Sequence, residues 1–143
     1  MLKEIGLAAV LAIAMAAPAL ADDCGVAPIP PAIPAPNDIA SKPVEDARKV
    51  VLDAYHQVKA YQGSLKPYRA CLDLQTNKDK ADMDAAKQKK DTVQAASLQD
   101  QMDERRKTYD GTVDAESEVA AEFNKLHTAQ CTRDTDPMIC PKQ

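Results

Sequence analysis

The sequence predicts an all-α fold: an antiparallel hairpin of two long, coiled-coil-like helices, led by an extended polyproline strut and closed by a disulfide-bonded tail. Three observations predict it. Apolar residues recur in alternating steps of three and four along two long stretches, the spacing that keeps one helix face against a partner. No stretch alternates apolar and polar residues with period two, the mark of a half-buried strand. Five prolines crowd the nine positions 28–36, "PIPPAIPAP", where neither helix nor central strand can form, because proline fixes φ and lacks an amide donor.

The chain opens "MLKEIGLAAVLAIAMAAPALADDCG". Lys3 and the amino terminus make a positive start, and Ile5–Ala17 is an uncharged apolar run. That run is shorter than the roughly 20 residues a bilayer span needs. Ala19-Leu20-Ala21 is a small-x-small cleavage site, so residues 1–21 read as a secretory signal peptide cut after Ala21. An uncleaved anchor is the competing reading. Lipidation of Cys24 is disfavoured by Asp22 and Asp23, where a lipid site wants small neutral residues. Cleavage removes 21 of 143 residues and leaves 122, enough for one domain. Lys3 and Glu4 leave together, so the net charge stays at −4. That balance argues against nucleic acid or an anionic membrane as a generic partner, since both reward a basic face. The expected product is an exported protein, periplasmic in a Gram-negative cell, with no membrane insertion after signal cleavage.

Residues 22–42 form a Cys/Pro-rich extended segment. It is either a stiff linker or a strut laid along a helix through Ile29 and Ile33; a ligand for a proline-recognition domain is a third reading.

The first long helix is expected over residues 43–74. Ser41 supplies a capping side chain, Pro43 suits a first turn, and Glu45 and Asp46 favour the positive end of the helix dipole. Its seam is Val44, Ala47, Val51, Ala54, Val58, Tyr61, Leu65, Tyr68 and Leu72. Gly63 and Pro67 fall inside it. The seam skips no position there, so the spacing predicts a helix that kinks between them and runs on; a break at Gly63 with Ser64 as a new cap is the alternative.

A turn is expected at "QTNK", residues 75–78, with Thr76 and Asp79 resembling a capping box. The second helix then spans 78–129, with a seam of Ala95, Leu98, Met102, Arg105, Tyr109, Thr112, Glu116, Val119, Phe123 and Leu126. Arg105 and Glu116 are polar intrusions. Glu45–Lys49 and Asp103–Lys107 are candidate i,i+4 pairs. With these bounds the second helix reaches about 70 Å against about 50 Å for the first. Its bulkier half would project past the start of the first helix. Met102, Tyr109, Val119, Phe123 and Leu126 are then a candidate interaction seam, to be covered by the strut, a second copy or a client. Aromatic residues are only 3% of the chain, so the core is thin and disulfides or self-association should help.

Export turns the cysteines into disulfide candidates. Four of them, Cys24, Cys71, Cys131 and Cys140, allow three pairings. Cys131 and Cys140 flank the short "TRDTDPMI" in the tail, residues 130–143, where a local bridge is easily closed. The 19 residues from Cys24 to Pro43 can cover nearly 60 Å as polyproline at about 3.1 Å each. The 28 residues of helix from Pro43 to Cys71 span only about 42 Å. The strut can therefore fold back to Cys71, which favours Cys24–Cys71 with Cys131–Cys140. The alternative ties Cys24 and Cys71 separately to the tail.

Little in the chain suggests catalysis. His127 and Cys131, four apart, have metal-ligand spacing and with Cys140 could make a partial soft-metal site; a disulfide between the cysteines would remove both thiolates, leaving His127 beside a structural bridge. His56 stands alone beside the seam. There is no CxxC pair, no glycine-rich phosphate loop, and no grouping of serine, histidine and aspartate. A rod also has no obvious deep pocket. No enzyme activity and no cofactor are expected.

Cys24, "VKAY" at Val58–Tyr61, "YRACL" at Tyr68–Leu72 and "AEFN" at Ala121–Asn124 resemble the layout of a family of small exported helical proteins of Gram-negative bacteria. That layout has a signal peptide, a cysteine before a proline-rich lead, a helix with a Y..CL motif and a second helix with an A..FN motif. Pro67 and the tail cysteine pair depart from it. The resemblance implies that Cys24 and Cys71 belong to the shared layout, which agrees with pairing them, and it brings no function. The expected role is a periplasmic interaction or structural module acting through the heptad seam, with a periplasmic protein or a second copy as partner. The alternatives are a chaperone-like holder of unfolded clients and a weak metal binder using His127 and the tail cysteines.

Overall fold

The computed structural model describes residues 24–140; the signal peptide expected at 1–21 lies outside them. The described residues hold three helices and no strand: α1 (Pro36–Ala40), α2 (Val44–Gln88) and α3 (Thr92–Cys131). The two long helices pack against each other as an antiparallel hairpin.

The extended lead is interrupted by α1, where a wholly extended segment was expected. Pro36 takes the first helical position, where its missing N–H leaves no bond unmade. The Ala35 N–H donates to the Asp38 carboxylate at 2.8 Å, and the Asp38 N–H returns to the Ala35 carbonyl at 2.9 Å. Ser41, expected to cap the first long helix, instead ends α1. Pro43 takes the N-cap of α2 without a side-chain cap, and its carbonyl accepts the first bond, from the Ala47 N–H.

Helix α2 runs unbroken through Gly63 and Pro67, so the restart at Ser64 is not taken; the Ser64 hydroxyl donates back to the Tyr61 carbonyl at 2.7 Å. Gly63 and Pro67 both lie on the exposed face. The bond that proline cannot give the Gly63 carbonyl is therefore lost to water and not to the interior.

The hairpin turn lies at Lys89–Asp91, not at 75–78. Thr76 does not cap a new helix. Its hydroxyl donates to the Leu72 carbonyl at 2.8 Å, one turn back in the same helix. Asp79 is buried and accepts from Arg105 across the hairpin. The polar "QTNK" stretch stays helical because the facing helix holds it, an override of local signals by packing. The true turn uses Lys90 at φ 60° and Asp91 as N-cap, whose carboxylate accepts the Gln94 N–H at 3.0 Å.

Moving the turn changes the proportions. Helix α2 has 45 residues and α3 has 40, so no long overhang of α3 is left without a partner. The start of α2 faces the end of α3, where Arg48 meets Asp134.

Packing runs down the rod in layers. At the open end Ile39 of α1, Ala47, Val51 and Ala54 of α2 and Leu126 of α3 form one buried cluster. Val58, Tyr61, Leu65 and Val119 form the middle one, and Met83, Ala86 and Ala95 the one beside the turn. Ile33 of the lead packs on the first two clusters. Ile29, its expected companion, is 84% exposed. Between the apolar layers sit the two polar seam residues. Glu116 accepts from Arg69 at 2.6 Å, and Arg105 donates to Asp79. Each intrusion thus has a partner on the opposite helix. The Arg69 guanidinium also lies over the Tyr109 ring, 5.7 Å from its centroid.

The disulfides are Cys24–Cys71 and Cys131–Cys140. The first pins one end of the lead to α2. Ile39 and Arg133, whose guanidinium donates to the Ile39 carbonyl at 2.6 Å, hold the other end. Two disulfides suit an oxidising, exported environment. No helix among the described residues is long and apolar enough to cross a membrane.

Candidate functional site

The open end of the hairpin gathers the start of α2, the end of α3 and the tail. Sequence-distant polar groups build it. Arg48 on α2 donates to Asp134 twice, Nε to Oδ2 at 2.9 Å and Nη2 to Oδ1 at 2.8 Å. Its Nη1 lies 3.2 Å from Asp136. Gln130, fully buried, donates to Asp134 Oδ2 at 3.0 Å and to the Val44 carbonyl at 3.2 Å. These donors, Arg48 foremost, then the Asp136 backbone N–H and Gln130, hold the Asp134 carboxyl well below the usual carboxylate range.

With that anchor the tail folds into a compact turn. Asp134 Oδ1 accepts the Asp136 N–H, and Asp136 Oδ1 accepts the Met138 N–H, each at 3.0 Å. The Asp136 carbonyl accepts from the Ile139 and Cys140 amides at 3.2 and 2.8 Å. The chain thereby returns to Cys131.

His127 lies one helical turn before Cys131. Its Nε2 is 2.7 Å from the Ile139 carbonyl oxygen and 3.6 Å from Cys131 Sγ. A carbonyl can only accept, so Nε2 carries the proton. The ring stacks on Phe123 at 5.9 Å between centroids, and Phe123 meets Tyr55 of α2 at 6.1 Å. Tyr55, Phe123 and His127 form an aromatic row across the two helices.

That row floors an open groove of about 390 Å³, lined also by Val51, Leu52, Met138 and Ile139. Its apolar walls face outward: Met138 is 92% exposed, Tyr55 45% and Leu52 41%. A second open groove of about 430 Å³, beside Arg105, Arg106 and Tyr109, is lined more by charge.

This arrangement divides the expected interaction seam, with Met102 and Tyr109 lining the second groove. Val119 and Leu126 are buried inside the hairpin, and Met102 packs on the cluster beside the turn. Tyr109 lies under Arg69. Of the five seam residues, Phe123 reaches the groove at the open end. A seam is a helix's inward face, so it is spent once the partner helix is as long. His56 is exposed, as a lone histidine beside a seam should be.

Sequence reading did not single out Leu52, Tyr55, Met138 or Ile139. Leu52 and Tyr55 carried a usable signal. They are apolar, three apart, and on the flank of the seam, so they form a second stripe that an ideal two-helix seam does not need. The tail residues carried none, because their placement depends on Arg48, 86 positions from Asp134.

His127, Cys131 and Cys140 do come together. One ligand atom from each lies within 4.8 Å of the others, with both sulfurs joined in the disulfide. Comparison of the chain with models of known families, with curated proteins and with solved structures returned no match, so the open end is read from its own chemistry.

Proposed function

We propose that this protein is a non-enzymatic interaction module of the periplasm, exported by a cleaved signal peptide, that holds an apolar segment of another envelope protein in the groove at the open end of the hairpin. The observation that supports this is the grouping of outward-facing Leu52, Tyr55 and Met138 with half-buried Phe123 and Ile139 in one concave patch. Contiguous exposed apolar surface of this kind marks association sites. Aromatic residues and methionine are the side chains that interfaces favour, and Met138 can adapt its shape to a guest.

The rest of the rod reads as scaffold. The buried carboxylates among the described residues are each committed to an arginine, Asp134 to Arg48 and Asp79 to Arg105. Neither is left over for acid–base work.

The test is site-specific photocrosslinking in intact cells. A photoreactive side chain at Leu52 or Tyr55 should capture one defined partner protein. The same group at Lys59 or Glu118, exposed elsewhere on the rod, should not. Tyr55→Ala and Met138→Ala should each weaken capture by a probe at Leu52. Equal labelling from all positions, or crosslinks only to a second copy, overturns the reading.

A further inference from the structure

We propose that the tail disulfide gates a binding site for one copper(I) ion: when a dithiol reductant opens Cys131–Cys140, the two thiolates and His127 Nε2 take the ion together.

The geometry is nearly assembled in the oxidised protein. With metal–nitrogen and metal–sulfur bonds of about 2.0 and 2.3 Å at a trigonal or tetrahedral angle, the two donors stand about 3.5–3.7 Å apart. His127 Nε2 already lies 3.6 Å from Cys131 Sγ. Cys140 Sγ lies within 4.8 Å of both, so a small adjustment of the tail, with separation of the two sulfurs, completes the set.

The tail turn does not depend on the disulfide to keep them close. Arg48 grips Asp134 and Asp136, and the hydrogen bonds of Asp136, Met138 and Cys140 close the turn by backbone and carboxylate contacts. Reduction therefore leaves Cys140 near Cys131. His127, Cys131 and Cys140 are all partly exposed, so reductant and ion can reach them. Cys24–Cys71 belongs to no comparable donor cluster among the described residues.

The donor set selects the ion. Two thiolates and an imidazole are soft to intermediate ligands. Three donors satisfy copper(I), whereas zinc would need water to supply a fourth.

The steps balance. A dithiol gives two electrons and two protons to the disulfide and leaves as its own disulfide, so each cysteine gains one hydrogen. Binding the ion releases those two thiol protons. The imidazole proton moves from Nε2 to Nδ1, which frees the Nε2 lone pair for the metal. The Ile139 carbonyl loses its donor and turns to water.

The experiment uses the mature chain, reduced anaerobically, separated from reductant and titrated with copper(I) against a chromogenic chelator. The reduced protein should bind one tight equivalent with a thiolate-to-copper charge-transfer band, and the oxidised protein should bind none. Cys131→Ser/Cys140→Ser, reduced in the same way, keeps Cys24 and Cys71 and should lose the tight site. His127→Gln keeps both cysteines and should weaken binding by at least about tenfold; it serves as the second variant should the serine pair disturb folding, with helicity followed by circular dichroism. Equal binding by wild type and the serine pair, or no effect of His127→Gln, overturns the site. Zinc(II) bound as tightly as copper(I) overturns the choice of ion.

Discussion

Arg48 and Asp134, 86 positions apart, are joined by two parallel hydrogen bonds that tie the first turns of α2 to the tail beyond α3. The pair closes the hairpin's open end, as Lys89–Asp91 closes the other. Its carboxylate is the group whose ionisation folding changes most clearly. The folded-state value is depressed, by Arg48 first, then the Asp136 amide and Gln130. An unfolded aspartate titrates near 3.9. The unfolded chain therefore takes up the proton first as pH falls. The stabilisation is fully present above about pH 5 and is lost progressively below pH 4. Urea unfolding at a series of pH values should show wild type losing stability over this acid range. Asp134→Asn should be less stable at neutral pH, with the gap to wild type closing in acid. A gap that stayed constant down to about pH 2 would remove the linkage.

Arg105 and Asp79 carry the second prediction. Both are side chains of the seam, largely shielded between the helices. Asp79→Ala leaves the guanidinium without its carboxylate and should cost about 2 kcal/mol or more. Asp79→Leu/Arg105→Leu replaces both with residues that suit a seam and should recover to within about 1 kcal/mol of wild type, or exceed it. Asp79→Leu and Arg105→Leu alone, compared with the double variant by denaturant unfolding, give the coupling. A double variant as unstable as the worse single one would contradict the argument.

This pair also shows why one boundary was legible and another was not. The steps of three and four on α2 continue past Leu72 through Thr76, Asp79, Met83 and Ala86, and the last three are buried. Two polar occupants hid the continuation, because apolar periodicity sees only apolar residues. Asp79 makes sense at a seam position only beside Arg105, and which residues face each other depends on where the turn lies. The seam of α3 from Ala95 to Leu126 was readable because its intrusions are isolated. Cys24–Cys71 followed from reach along a strut and a helix and Cys131–Cys140 from the short loop between its cysteines; both stayed right although the turn was misplaced, since neither bridge spans it. The groove was hidden for the opposite reason. It is made of residues that break no pattern until the tail is folded over them.

The turn's concealment gives a third prediction. Helix ends commonly place glycine in the left-handed region, and here Lys90 occupies it at φ 60°. An L-residue pays about 1–2 kcal/mol for that conformation, partly offset in glycine by a more flexible unfolded chain. Lys90 is exposed, so its side chain brings little in return. Lys90→Gly should raise stability by about 0.5–1 kcal/mol, seen as a higher urea midpoint with an unchanged slope. A lower midpoint would mean that the lysine makes a contact worth more than the strain.

Gly63 and Pro67 give a fourth. A methyl group built on Gly63 meets nothing within 4 Å, so neither packing nor the Pro67 ring requires glycine there. Gly63→Ala should stabilise by about 0.5–1 kcal/mol through helix propensity and a less flexible unfolded chain. Pro67→Ala restores a donor to the Gly63 carbonyl and should stabilise by about 1–3 kcal/mol. Thermal unfolding of the two variants checks both. Loss of stability in Pro67→Ala would show that the fold needs the bend a proline imposes.

The two disulfides should differ in worth, and their sequence separations say by how much. Cys24–Cys71 closes a separation of 47 residues and Cys131–Cys140 one of 9. By loop-closure entropy in the unfolded chain, the first is worth about 4 kcal/mol and the second about 2.5 kcal/mol. The structural consequences differ as well. Losing Cys24–Cys71 frees the lead at one end, leaving Ile33, Ile39 and Arg133 to hold it. Helix content should hardly change, while amide exchange at Ala35, whose N–H donates to Asp38 at the end of the lead, should rise. Losing Cys131–Cys140 leaves the Arg48–Asp134 clasp and the tail turn intact. Cys24→Ala/Cys71→Ala and Cys131→Ala/Cys140→Ala, compared by guanidinium unfolding and hydrogen exchange, test the ranking. A tail bridge worth as much as the longer one would mean that its loop stores native-state interactions which chain entropy does not count.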